Sequence, residues 1–237
     1  MKIVSVNIEG KKHLPRIENL IITEEPDVLF LQEIFESDVK FFADLLGGDG
    51  YFVSMSYKEH FEERQGIATF SKHPVTYEPI LLSQRDEKLA QYSGRSYEDR
   101  LRSQDFYVLL ATVTDKDNSV FTFANTHLPV TEKGEVTEYQ IKVIQALSRA
   151  LGGLSVVLVG DSNAPRGGEA FAKIAAHYVD NIPAEYTTSI DNALHRAAPL
   201  ELMIDMLFST PEYLTQNVRL VTGVSDHCAI CAEVMRV

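Results

Sequence analysis

Short apolar runs rich in β-branched and aromatic residues recur from one end of the chain to the other, separated by turn-forming residues. Such runs predict strands over Lys2–Ile8, Val28–Gln32, Tyr51–Tyr57, Gly66–Ser71, Phe106–Thr114, Val120–Thr126, Ser155–Gly160, Leu202–Phe208, Val218–Thr222 and Cys228–Met235. Helical spacing appears between some of them. Leu14, Ile17, Leu20 and Ile21 predict a helix closed by Pro26, and Ser37 reads as the N-cap of a helix over Asp38–Leu46 that stops at Gly47-Gly48. Ile141, Ile144, Leu147 and Leu151 share one face of a helix over 137–151, ended by Gly152-Gly153, and Glu169–Ala176 predicts a shorter one. Asp115-Lys116-Asp117-Asn118 is a hairpin signal between two strands. The strands are therefore not all joined by helices, and mixed sheets with helices outside fit better than a doubly wound parallel sheet.

Several apolar runs end on polar residues that a strand end does not need for stability. They are Asn7 in Val-Ser-Val-Asn-Ile, Glu33 in Leu-Phe-Leu-Gln-Glu, His127 in Asn-Thr-His-Leu, Asp161 and Asn163 in Gly-Asp-Ser-Asn, Asp205 in Met-Ile-Asp-Met, and Asp226-His227 in Val-Ser-Asp-His. Singly, each has a plain reading. Asn7 can end a strand in a turn. Glu33 after Leu29-Phe30-Leu31-Gln32 is costly if buried alone, so it needs a metal, a cationic partner or exposure. Asp161 and Asn163, two apart, point the same way on an extended chain and could hold a water and a phosphate oxygen, or they form an Asx-turn. A lone histidine is commonly structural, yet His127 and His227 both stand at strand ends with carboxylates available. Asp226 is the neighbour of His227, and neighbours on an extended chain point apart, so Asp205 is the expected partner of that ring. Repetition of the pattern predicts strand ends converging on one site. Carboxylates, amides and imidazoles together suit a hard, oxygen-binding cation and a phosphate ester.

Composition narrows the picture further. The 237 residues are 45% hydrophobic and 24% charged, enough apolar material for a sizeable core. The net charge of −12 argues against binding nucleic acid through a broad basic surface. It does not exclude a nuclease, because a metal ion supplies local positive charge where the phosphate sits. Cys228 and Cys231 have the spacing of a redox or zinc motif, but they lie in a strand-like run where residues three apart face opposite ways, so two buried reduced thiols are the expectation. The first residues read as a strand start and not a signal peptide, and no run is long enough to span a bilayer; a cytoplasmic monomer is expected. Residues 83–105 carry Arg85, Arg95, Arg100 and Arg102. A solvated loop is the plainer reading, and a substrate-facing flap with Arg102 on the phosphate is the functional one.

The order of these residues resembles the endonuclease/exonuclease/phosphatase (deoxyribonuclease I-like) superfamily. The matching pieces are Ser-Val-Asn-Ile-Glu-Gly, Leu-Gln-Glu, Gly-Ile-Ala-Thr-Phe-Ser-Lys-His-Pro, Thr-His-Leu, Gly-Asp-Ser-Asn, Ile-Asp-Met-Leu-Phe and Ser-Asp-His, running from Asn7 to His227. The resemblance implies one catalytic domain over residues 1–237, folded as a four-layer α-β-β-α sandwich of two mixed β-sheets. It also implies a hydrolase of phosphate esters that depends on Mg²⁺ or Mn²⁺. Carried onto this chain, it makes Glu33 the main metal ligand, helped by Asn7 and by Asp226. Asp161 then aligns or deprotonates the attacking water, Asn163 holds that water or the phosphate, His227 paired with Asp205 stabilises the phosphorane, and His127 contacts the phosphate. His127 stands where abasic-site endonucleases usually carry Tyr, the chain has no Trp, and no phosphoinositide-specific basic motif is evident. The carboxylate that orients His127 is not marked in the sequence, and Glu63 is nominated. The expected substrate is DNA or RNA. The alternative is an inositol, lipid or other small phosphate ester. A non-catalytic binding protein is a third reading, weakened because every catalytic residue type is present.

Overall fold

A computed structural model describes residues 1–86, 97–197 and 199–237. In chain order the elements are β1 (Lys2–Asn7), α1 (Leu14–Glu24), β2 (Val28–Phe35), α2 (Val39–Leu46), β3 (Asp49–Lys58), β4 (Glu63–Ser71) and β5 (Val75–Ser83). They continue with α3 (Tyr97–Arg102), β6 (Phe106–Thr114), β7 (Val120–His127), α4 (Glu138–Leu151), β8 (Val157–Asp161) and α5 (Glu169–Ala175). The last are β9 (Val179–Asp180), β10 (Asp205–Ser209), β11 (Tyr213–Val221) and β12 (Ala229–Arg236). Two six-stranded sheets form, ordered β11-β12-β1-β2-β4-β3 and β5-β6-β7-β8-β10-β9. Each is mixed: β1–β2 and β7–β8 are parallel, and the other pairs are antiparallel.

Side-chain alternation explains the layering. Along β2, Phe30 joins Phe123, Val157, Val159 and Leu207 between the sheets, while Leu29 and Leu31 face Ile17, Leu20 and Phe42 of the helices outside. Along β8, Val157 and Val159 point between the sheets, and Leu158 packs with Val143, Ile144 and Leu147 of α4. Strands buried on both faces must be apolar throughout, and these are. The result is the expected four-layer α-β-β-α sandwich. A buried amide bridge ties the sheets together: Gln32 Nε2 donates to Asn125 Oδ1 at 2.8 Å, and Asn125 Nδ2 donates to the Ala68 carbonyl at 2.9 Å.

Several local expectations change. Ser37 does not cap α2. A 3₁₀ turn over Glu36–Asp38 leads into the helix, the Ser37 N–H donates to Glu63 Oε1, and the Ser37 hydroxyl accepts from Lys11 Nζ. Gly47, with φ +74°, does end α2, and Thr137 caps α4 by accepting from the Gln140 N–H at 3.1 Å. β5 lies outside the strands predicted from the sequence, because Pro79 and weak alternation disguise it. It is an edge strand that pairs only with β6, where a proline is tolerated. α3 lies in the segment read as a loop. Arg95, and the side chain of Arg100, fall outside the described residues. Cys228 and Cys231 are buried and unpaired, and burial raises their thiols to about 12 and about 11. Among the described residues no helix is long and apolar enough to cross a membrane.

Candidate active site

Register brings the polar strand ends together. Parallel pairing sets His127 beside Asp161 and Asn7 beside Gln32, and antiparallel pairing sets Asp205 opposite Asp161. Glu33 arrives by a different device. The β2–β4 ladder has a bulge between Gln32 and Ile34, and Glu33 sits in it at φ +59°. A bulge leaves its extra residue out of the ladder and re-aims the side chain, at some backbone strain. Gly160 precedes Asp161 at φ +126°, and a Cβ there would lie 2.0 Å from the Thr126 carbonyl oxygen. Only glycine lets β8 approach β7 this closely at the residue before the carboxylate.

The centre of the site is one oxygen atom. Asp161 Oδ2 lies 3.1 Å from Asn7 Nδ2, 3.5 Å from His127 Nε2 and 3.8 Å from His227 Nε2. Asp161 Oδ1 accepts the Asn163 N–H at 2.8 Å, and Asn163 is at φ +49°. The chain therefore turns after Asp161, and the Asx-turn reading holds instead of an extended pair pointing the same way. Both residues still line the cleft. Asn163 Nδ2 is committed to the Leu128 carbonyl at 3.0 Å, which leaves its amide oxygen for the cleft. Asn7 Nδ2 also reaches Glu33 Oε1 at 3.3 Å, so one amide links Glu33 and Asp161.

His227 Nδ1 lies 2.8 Å from Asp205 Oδ2, which places the two residues together as expected. Burial alone would push the His227 imidazole down. The carboxylates of Asp205 and Asp161 outweigh it and hold the ring well above its ordinary value. Burial pushes Asp205 up, and the imidazolium beside it opposes that. With Nδ1 donating to Asp205, Nε2 is left on the Asp161 side of the cleft, at 3.8 Å. Asp226 accepts from Ser225 Oγ at 3.1 Å. Its carboxyl is raised by burial, with His227 opposing and the negative charges of Glu9 and Glu33 adding to the rise.

That crowding of carboxylates is a structural reason to expect a cation. Glu33 and Asp226 line a cleft of about 370 Å³ and offer oxygen donors with open space for retained waters, which suits a hard divalent cation. Asp161, Asp205 and His227 also converge closely enough to hold an ion. Their burial, and the hydrogen bond already joining Asp205 to His227, fit a proton-holding pair better than a hydrated cation. Asn7, as oriented, donates to two carboxylates while its oxygen accepts the Glu9 N–H at 3.1 Å. It bridges Glu33 to Asp161, and it would ligate a metal only after its amide turned over.

Two nominations fail. Glu63 does not orient His127: its carboxylate is held by Lys11 Nζ at 2.7 Å and by the Ser37 N–H at 2.8 Å. The carboxylate nearest His127 is Asp161. Arg102 does not line the cleft; it borders a separate depression with Arg85, Glu138, Tyr139 and Lys142, because α3 turns Leu101 inward instead. Residues that sequence reasoning passed over also line the cleft: Glu9, Lys58, Gln65, Thr131, His195 and Arg196. Lys58, at the end of β3, matched the strand-end signal. His195 and Arg196 sit in an irregular loop that carries no periodic signal.

A family model described as the endonuclease/exonuclease/phosphatase family matches residues 4–227. No curated protein matches the chain. Among solved structures, an endonuclease/exonuclease/phosphatase from Beutenbergia cavernae DSM 12333 superposes with a TM-score of 0.74 at 17% identity, covering 100% of this chain and 71% of that one. The human Nocturnin catalytic domain with bound sulfate gives 0.71 at 17% identity, covering 100% and 93%. A mannosyl-6-phosphatase from Bacteroides thetaiotaomicron VPI-5482 gives 0.69 at 13% identity, covering 99% of each chain. At these identities the likeness is one of fold.

Proposed function

Because the chain belongs to the endonuclease/exonuclease/phosphatase family, whose members hydrolyse phosphate esters, we propose that residues 1–237 form one catalytic domain that hydrolyses such an ester with Mg²⁺ or Mn²⁺. The observation that carries the reading is the convergence of Asn7, His127 and His227 on Asp161 Oδ2. A water held there has a base on one side and two imidazole N–H groups placed for a phosphate on the other. Glu33 and Asp226 would hold the ion, which when bound neutralises charge on the phosphoryl oxygens and the departing oxygen. Asp161 takes the proton of the attacking water, and the Asn163 amide oxygen aligns that water. His227 donates from Nε2 to a non-bridging oxygen as charge builds, while Asp205 fixes its ring. His127 Nε2 donates to the departing oxygen as the P–O bond breaks.

For the substrate, a compact ester fits better than the nucleic acid expected from the sequence. The cleft volume of about 370 Å³ is that of a small-molecule site, and Glu9 and Glu33 line it in a chain of net charge −12. One observation favours a nuclease. Phe61 is 55% exposed and packs on Phe35 at 5.0 Å, two residues beyond Glu33, where a base could stack. The deciding experiment is a panel of sugar phosphates, nucleotides, inositol phosphates, single- and double-stranded DNA and RNA, each run with Mg²⁺ and with EDTA. Metal-dependent release of phosphate from small esters supports the compact-ester reading. Shortened oligonucleotides with no release from small esters would favour the nuclease. Activity untouched by EDTA would overturn the metal assignment.

A further inference from the structure

Beside the catalytic cluster, the cleft is lined by Leu128, Val130, Thr131 and Gly134 and by His195, Arg196 and Leu202. We propose that this part of the wall is a subsite for the part of the substrate beyond the reacting phosphate, and that it selects an alcohol bearing hydroxyls and a second phosphate, read by Thr131, His195 and Arg196. The inference rests on the phosphoesterase reading and names the substrate class of that same site.

Three observations support it. Thr131 is 6% exposed and lines the cleft, yet its hydroxyl has no hydrogen-bond partner among the described residues. A buried hydroxyl left unpaired costs free energy on the order of 1–3 kcal/mol, so this one calls for a partner that the chain itself does not supply. His195 Nδ1 accepts the Ala197 N–H at 3.1 Å, which assigns the ring proton to Nε2 and makes that atom a donor. Arg196, also on the cleft wall, pairs with no carboxylate among the described residues, although the cleft is acidic elsewhere. A hydroxyl, an imidazole N–H and a free guanidinium match the oxygens of a sugar ring and of a phosphate.

The loop carrying His195 and Arg196 is fixed to the catalytic strands. The Asp191 N–H donates to the Asp226 carbonyl at 2.9 Å, and Ile190 bridges to His227. Asp191 in turn accepts the Gly223 N–H through its side chain at 2.6 Å and the His195 N–H through its carbonyl at 2.8 Å. The two loops also lie close together, since a Cβ added to Gly134 would come within 3.7 Å of Leu202. A subsite built on such anchors keeps a constant distance from the reacting phosphate, which is what selection by a second phosphate requires.

The test uses the full chain with Mg²⁺ and compares glucose 6-phosphate with glucose 1,6-bisphosphate, and adenosine 5′-monophosphate with adenosine 3′,5′-bisphosphate. The readout is the ratio of kcat/KM for bisphosphate over monophosphate. Wild type should prefer a bisphosphate, and Arg196→Ala should lower that ratio roughly tenfold or more, the scale of a lost hydrogen bond to a charged group. Arg196→Lys should recover part of it, and Thr131→Val should raise KM more than it lowers kcat. A wild-type ratio near one, or a ratio unmoved by Arg196→Ala, overturns the subsite and leaves the phosphoesterase reading standing. Calorimetric binding of glucose 1,6-bisphosphate in EDTA separates the other failure. Binding that depends on Arg196, together with no hydrolysis of the same compound when Mg²⁺ is supplied, supports the subsite and overturns the catalytic reading.

Discussion

Replacing Asp205 by Asn isolates the role of the buried pair. Asp205 is 4% exposed, and its Oδ2 meets His227 Nδ1 at 2.8 Å, while His227 Nε2 still faces Asp161 at 3.8 Å. Asn keeps the volume and can accept one hydrogen bond, but it removes a unit charge next to the ring. Two unit charges about 4 Å apart interact by roughly 4 kcal/mol at the effective dielectric of a protein site. Without that term, burial pulls the imidazole down, and Asp161 and Asp226 are left to oppose it. The ring should therefore give up its proton at lower pH in the variant than in the wild type. Because it can discharge, no charge is left stranded, and the stability loss should be about 1–3 kcal/mol, the scale for a disturbed buried hydrogen bond, well short of the scale for an orphaned buried charge. The catalytic loss should be larger. A donor that was charged becomes neutral where phosphoryl charge develops, and such losses are on the order of 10²–10³ in kcat.

Three measurements check this together. Turnover of a small ester at saturating Mg²⁺ gives kcat, ¹⁵N NMR of the ring gives the protonation state of His227, and thermal unfolding gives the stability change. Turnover within a few-fold of wild type while NMR shows a neutral ring would refute the role given to the imidazolium. A ring that gives up its proton at the same pH as in the wild type would refute the electrostatic argument itself.

Other variants test the remaining assignments. Asp161→Asn should lower single-turnover chemistry by about a hundredfold or more, the scale of general-base loss, with little change in substrate affinity; the reverse pattern would make Asp161 a binding residue. Glu33→Gln should weaken Mn²⁺ binding followed by water-proton relaxation, and an unchanged titration would remove Glu33 as a ligand. Gly160→Ala should unfold at a clearly lower temperature, since its Cβ would meet the Thr126 carbonyl at 2.0 Å; an unshifted Tm would show that β8 can move away from β7. At Asp27, burial raises the carboxyl, but the Lys2 N–H and His73 outweigh it and lower its folded value. Its contribution to stability is therefore present above the ordinary value of 3.8 and is lost as pH falls through the lowered one. Asp27→Asn should flatten the pH dependence of Tm on the acid side, and an unchanged acid limb would refute that.

Legibility followed chemistry that is local in sequence. β2 and β8 could be read because a strand covered on both faces has no freedom to be polar, and α4 could be read because one covered face fixes its period. His227 could be matched to Asp205 because Asp226, its neighbour, had to point elsewhere. Residues whose placement depends on departures from regular geometry were harder. Glu33 depends on a bulge, Asn163 on a left-handed turn, and His195 and Arg196 on a loop anchored through Asp191. The Glu63 nomination failed because its partners come from elsewhere: Lys11 from the segment after β1, and Ser37 from the turn before α2. Arg102 was misjudged because the helical face of α3, which turns Leu101 inward, was not visible in a segment without clear periodicity.

The same contrast has a functional consequence. The strand ends proposed to carry the reaction are apolar-backed and set by register, so their chemistry can be read from the chain. In the proposed subsite, substrate choice falls to the loops, where a Thr131 hydroxyl and an Arg196 guanidinium without partners among the described residues mark what a bound molecule must supply. A fold that separates the two can keep one reaction while its loops change the ester it accepts. For this chain, identifying the substrate therefore depends on the 128–134 and 190–202 loops more than on the catalytic residues.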